Sequence, residues 1–124
     1  MSKVIASYRD LEVWQKAMSL VEELYRSTQT FPREEQFGLT AQMRRAAVSV
    51  PSNIAEGHVR AGTNEYCHFL SIAKGSVAEL ETQILIAQRL QYLQKPLAEA
   101  LLKHVESVGM MLSALVRSLR GRRN

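Results

Sequence analysis

The stretch from Gly38 to Gly57 reads GLTAQMRRAAVSVPSNIAEG. Leu39, Met43, Ala46, Ala47, Val50, Ile54 and Gly57 recur in it at helical spacing, which marks an amphipathic helix with Pro51 in its middle. A proline there has no N–H to donate and presses its ring on the carbonyl four residues back, at a cost of about 3 kcal/mol. The apolar pattern continues past it to about Arg60, so the expectation is a helix kinked near Pro51 rather than ended by it. A cost of that size asks for a packing reason or a functional one. Pro51 also leaves the Ala47 carbonyl without its usual donor, where a water or a partner side chain can enter.

A polar stripe runs beside the apolar one. Arg45, Ser49, Ser52, Glu56 and Arg60 fall at steps of three and four, with Arg44 and Asn53 next to them. Arginine offers a planar fork suited to phosphate or carboxylate. Serine hydroxyls and the asparagine amide add phosphate contacts. Arg44, Arg45, Ser49, Ser52, Asn53 and Arg60 are therefore candidate nucleic-acid contacts. The competing reading is structural. Glu56 can pair with an arginine, Asn53 and the serines can satisfy backbone freed at the kink, and the same groups can meet a neighbouring subunit. Pro51, Glu56 and Gly57 belong to that second reading, and both stay open.

Three further helices complete the chain. The first spans about Asp10 to Ser27, with Asp10 as its expected cap. It carries two apolar stripes, Leu11, Trp14, Met18, Val21, Tyr25 and Val13, Ala17, Leu20, Leu24. Trp14 is expected as a core anchor or subunit contact rather than a base-stacking platform, which would want several exposed aromatics. Phe31-Pro32 interrupts the chain before the Pro51 helix. The third helix starts at a Thr63 cap, follows Phe69, Ala73, Val77, Leu80, Ile84, Ala87 and Gln91, and stops at Gln94-Lys95, with Ile72 and Ile86 off the stripe. Pro96 opens the fourth as its first residue, and Leu97, Leu101, Val105, Val108, Leu112, Leu115 and Leu119 form a heptad-like seam. Leu102, Met111 and Val116 lie off that seam. Long helices and short links predict an all-α, antiparallel up-down four-helix bundle, one domain over residues 1–124. The surplus apolar stripes predict self-association.

Net charge is +4, and its placement is uneven. Arg117, Arg120, Arg122 and Arg123 make residues 117–124 a basic tail without an acid, while the first 116 residues carry 12 bases and 12 acids. Such an end attracts phosphate backbones without reading sequence. It equally suits the negative end of a helix. No apolar run is long enough for a membrane span or a signal peptide, so a cytoplasmic protein with no membrane partner is expected.

Catalytic signatures are weak. Glu65-Tyr66-Cys67-His68 has the spacing that places a carboxylate and an imidazole on one metal, but His58 and His104 lack a matching glutamate three residues earlier. Cys67 is the single cysteine and has no metal-ligand spacing. Gly57-His58-Val59-Arg60-Ala61-Gly62 follows a helix rather than a strand, so it is no phosphate loop. The expectation is no enzyme, no metal and no cofactor.

Several pieces resemble one family. RRAAVSVPSNIAEG, with Asp10-Leu11-Glu12-Val13-Trp14-Gln15-Lys16 before it and Ala73-Lys74-Gly75-Ser76 and Glu79-Leu80-Glu81 after it, looks like the signature of the small bundle proteins encoded in intervening sequences of bacterial large-subunit ribosomal RNA genes. Phe31-Pro32, Glu35, Gly38-Leu39 and Arg60 agree, and the likeness runs from about Tyr8 to Leu93. The accessory protein of diversity-generating retroelements is similar in fold. The resemblance implies a bundle assembled into a ring-like homopentamer, a nucleic-acid role, structured RNA foremost, and no enzymatic activity. The alternative is a protein–protein adaptor with no nucleic-acid role.

Overall fold

The computed structural model describes residues 6–121. Four helices follow one another: α1 Glu12–Thr28, α2 Leu39–Val59, α3 Thr63–Arg89 and α4 Lys95–Gly121. Short 3-10 turns, Tyr8–Asp10 and Arg33–Glu35, precede α1 and α2. No strand occurs among the described residues, so the fold is all-α. α1 packs on α2 and α4, and α3 packs on the same two, the α2–α3 contact being the most extensive.

The core is the sum of one stripe per helix. α1 supplies Val13, Ala17, Leu20 and Leu24, and α2 supplies Met43, Ala46, Ala47, Val50, Pro51, Ile54 and Gly57. α3 adds Leu70, Ala73, Val77, Leu80, Ile84 and Ala87. Steps of three and four keep each set on one face. Burying each large aliphatic side chain contributes about 1.5–3 kcal/mol. α2 runs unbroken through Pro51. No helix among the described residues is long and apolar enough to cross a membrane.

The helix ends depart from expectation. Asp10 does not cap α1, which begins after Leu11 with no side-chain cap. Asp10 Oδ2 instead accepts the N–H groups of Ala6 at 2.9 Å and Ser7 at 3.1 Å, closing the turn before the helix. Thr63 is the first residue of α3, and the cap position falls to Gly62 at φ 96°, in the left-handed region open to glycine.

α3 stops at Arg89, short of Gln94 and Lys95. There the Gln91 N–H donates to the Gln88 carbonyl at 3.0 Å and the Tyr92 N–H to the Ala87 carbonyl at 2.9 Å, a Schellman closure with Gln91 left-handed at φ 66°. Gln91 is thereby exposed, not on the core stripe. Pro96 is the second residue of α4 rather than the first. At the two ends of α4 the seam shifts by one residue. Ala98 and Val116 are buried, Leu97 is exposed and Leu115 half-buried. The periodicity was compatible with either register there; packing against α1 and α3 selects one.

Candidate functional site

The polar stripe of α2 divides among three surroundings. Arg44 turns toward α1. Its Nε donates to Thr28 Oγ1 at 3.0 Å, its Nη2 to the Tyr25 carbonyl at 3.4 Å, and its guanidinium lies 4.5 Å from the Tyr25 ring centre. A cation is thus fixed at the C-terminal end of α1, on one of its last carbonyls and a hydroxyl, where a helix end favours it.

Ser49 and Asn53 turn toward α3. Ser49 Oγ accepts from Ser76 Oγ at 2.8 Å and from Asn53 Nδ2 at 2.9 Å, and Asn53 Nδ2 also reaches the Ser49 carbonyl at 2.8 Å. Two turns on, Gly57 lets the helices touch. A Cβ there would lie 2.9 Å from Phe69 Cβ and 3.1 Å from Tyr66 Cδ1. Glu56 and Arg60 pair at 2.8 Å on the surface, with the Arg60 guanidinium 5.1 Å from the Phe69 ring centre. Exposed pairs of this kind contribute about 0–1 kcal/mol.

Only Arg45 and Ser52 of the stripe face solvent without a partner among the described residues. Arg117 and Arg120 are likewise exposed and unpartnered near the end of α4. Arg122 and Arg123 lie outside the described residues.

Ser52 sits at the rim of a groove of about 340 Å³ between α1 and α2. Its walls are Tyr8, Trp14, Met18, Val21, Val48 and Pro51. Trp14 is half-buried rather than fully enclosed, with its ring edge-on to Tyr8 at 5.4 Å. The groove runs on through Val48 to Tyr25 and to Phe37, which is 90% exposed. This band is the first apolar stripe of α1, extended by α2 and the turn before it.

Glu65 and His68 are exposed, with the His68 ring edge-on to Phe69. No group of three metal-capable side chains occurs among the described residues. Cys67 is buried.

Two polar locks escaped the sequence reading. Glu35 accepts the Leu39 N–H at 3.1 Å on one oxygen and the Tyr92 hydroxyl at 2.9 Å on the other, so one carboxylate caps α2 and holds the α3–α4 turn. That hydrogen bond to Glu35, with some desolvation, raises the Tyr92 hydroxyl above the ordinary tyrosine value of 10.0. His104 of α4 sets Nδ1 2.6 Å from Glu23 Oε2 and Nε2 3.1 Å from the Lys16 carbonyl of α1. Glu35, four residues before the α2 start, was a readable cap signal. The 57-residue and 81-residue separations of the other partners carried none.

A crystal structure of a protein of unknown function from the S23 ribosomal protein family of Bacteroides thetaiotaomicron superposes with a TM-score of 0.78. Identity is 17%, over 85% of this chain and 95% of that one, so the likeness is one of fold. No curated protein matches. The family model described as 23S rRNA-intervening sequence protein matches residues 9–114. With its length matched almost throughout and its helices in the same fold, the chain belongs to the 23S rRNA-intervening sequence protein family.

Proposed function

We propose that this chain is a non-catalytic antiparallel bundle that works as a homo-oligomer, a pentamer by the family resemblance, assembled through the α1–α2 groove. The observation carrying this reading is the apolar band from Tyr8 and Trp14 through Met18 and Val48 to Phe37. Contiguous exposed apolar surface of that kind marks a protein contact. Pro51 lines the groove, so a kink there would shape the contact and supply the packing reason its cost demands. The antiparallel order is supported by paired contacts: Ser49 meets Ser76, while Gly57, further along α2, meets Phe69 and Tyr66, further back on α3.

Native mass spectrometry tests it. The expected result is a homo-oligomer that Met18→Glu converts to a folded monomer, because a carboxylate buried in an apolar contact is costly. A wild-type monomer overturns the reading.

A second reading is nucleic-acid binding, favoured by the free cations Arg45, Arg117 and Arg120. Repetition around an oligomer would give weak single contacts avidity. Binding of structured RNA should weaken steeply with salt, and an absent or salt-insensitive interaction sinks it. If the oligomer forms and carries no RNA, an adaptor docking another protein on the assembly remains.

A further inference from the structure

A second groove, of about 420 Å³, runs between α3 and α4. Val77, Val105 and Gly109 line it, and beside them Met110 stands 66% exposed. Glu81 and Glu106 line the same groove, both exposed and without a partner among the described residues. The α1–α2 band is its opposite in charge. Arg44 and Arg45 line that band, and no carboxylate does.

The two surfaces also differ in shape. An apolar hollow is not filled by the same hollow on a second copy; it needs a protruding group. Met110 is such a group. A methionine side chain adapts to irregular gaps, and its sulfur packs well beside an aromatic ring such as that of Trp14.

The order of residues along the helices selects a register. Arg45, Val48, Ser52 and Glu56 follow one another along the outer side of α2 at steps of three and four. Glu106, Met110, Ser113 and Arg117 do so on α4. Laid parallel, the two rows bring opposite charges together at both ends, with Met110 against Val48 and hydroxyl against hydroxyl between them. Laid antiparallel, they would set Glu106 against Glu56 and Arg117 against Arg45.

We infer that the occupant of the α1–α2 groove is the α4 face of a second copy of this chain. Met110 seats among Trp14, Met18 and Val48, with Glu106 at Arg45 and Ser113 at Ser52. The inference rests on the assembly reading above and names the surface that meets the groove. The two surfaces are different patches of one chain, so the contact is heterologous and passes from copy to copy until a ring closes.

Native mass spectrometry of the full chain over a dilution series tests it. Met110→Glu should keep the helical circular dichroism of the wild type and run as a monomer, because it sets a carboxylate in an apolar contact. Arg45→Glu and Glu106→Arg should each raise the concentration of half-dissociation about tenfold or more, since like charges then meet. The double variant Arg45→Glu/Glu106→Arg should return to the wild-type value. An oligomer broken by Met18→Glu but untouched by Met110→Glu would overturn this inference and leave the groove as a contact. Single reversals without effect, or a double variant no better than either single one, would overturn the register and the inference with it. Loss of RNA binding in Arg45→Glu with the oligomer intact would overturn it too, and would give Arg45 to nucleic acid. A wild-type monomer would overturn both this inference and the assembly reading.

Discussion

The two sides of α2 are finished differently. Toward α3 the helix is closed: Ser49 and Asn53 lock to Ser76, and Gly57 brings the backbones together under Phe69 and Tyr66. Toward α1 it is closed only at one end, where Arg44 ties to Thr28 and Tyr25. The other end opens into the groove walled by Trp14, Met18, Val48 and Pro51. The closed side ties Ser49, Asn53 and Ser76 to one another inside the chain. The open side leaves apolar surface in water, which is destabilising for a lone copy and favourable for an assembly. Under the proposed assembly, stability and recognition would fall to opposite faces of one helix.

That contrast can be broken on the closed side first. Ile54 is fully buried on the core stripe of α2. Ile54→Ala should cost about 2–5 kcal/mol in chemical denaturation, as other large-to-small core changes do. Gly57→Ala should cost less. Overpacking costs about 1–3 kcal/mol and the gain in helix propensity returns about 1 kcal/mol. A stabilised Gly57→Ala variant would show that α2 and α3 can separate freely, and the closed side would lose its meaning.

How much of this was legible can be judged residue by residue. The core stripe from Met43 to Gly57 was readable because helical period and burial coincide there. The surplus stripe of α1 was readable from its helical period alone, and its exposure at Met18 and Tyr25 is what a second stripe implies. The division of the polar stripe was not. Ser49 and Ser52 are three residues apart and look alike on a helical wheel, yet α3 reaches one and not the other. Which neighbour lies over each position is a tertiary fact, and short-range spacing carries no record of it. The same holds for Gln91, where Schellman closure overrode the stripe, and for His104, whose partners Glu23 and Lys16 sit on the far end of the sequence.

Glu35 sharpens the comparison at the other end of α2. Its bond from Tyr92 ties the α2 start to the α3–α4 turn, so closure extends beyond the α2–α3 seam. The bond favours the protonated phenol, and the Tyr92 value is raised in the folded chain. The stabilisation it gives is therefore fully present below the ordinary tyrosine value of 10.0 and is lost as pH rises through the higher folded value. Tyr92→Phe should be less stable than wild type at neutral pH, and the gap should close in alkaline solution. A gap independent of pH would mean that the hydroxyl contributes nothing through Glu35.

The smallest expected effect is the sharpest test of the division, because it compares one residue type with itself. Ser49→Ala removes the acceptor for Ser76 Oγ and one acceptor for Asn53 Nδ2 at a half-buried site, which should cost about 1 kcal/mol. Ser52→Ala removes a solvated hydroxyl with no partner among the described residues and should stay within about 0.5 kcal/mol of wild type. If both variants lie within that margin, the α2–α3 lock is ornamental and the closed side rests on Gly57 and the core alone. If Ser52→Ala costs as much as Ser49→Ala in the assembled protein but not in the Met18→Glu background, then a neighbouring subunit supplies the missing partner. The stripe would then be divided between the inside of one chain and the surface of the next.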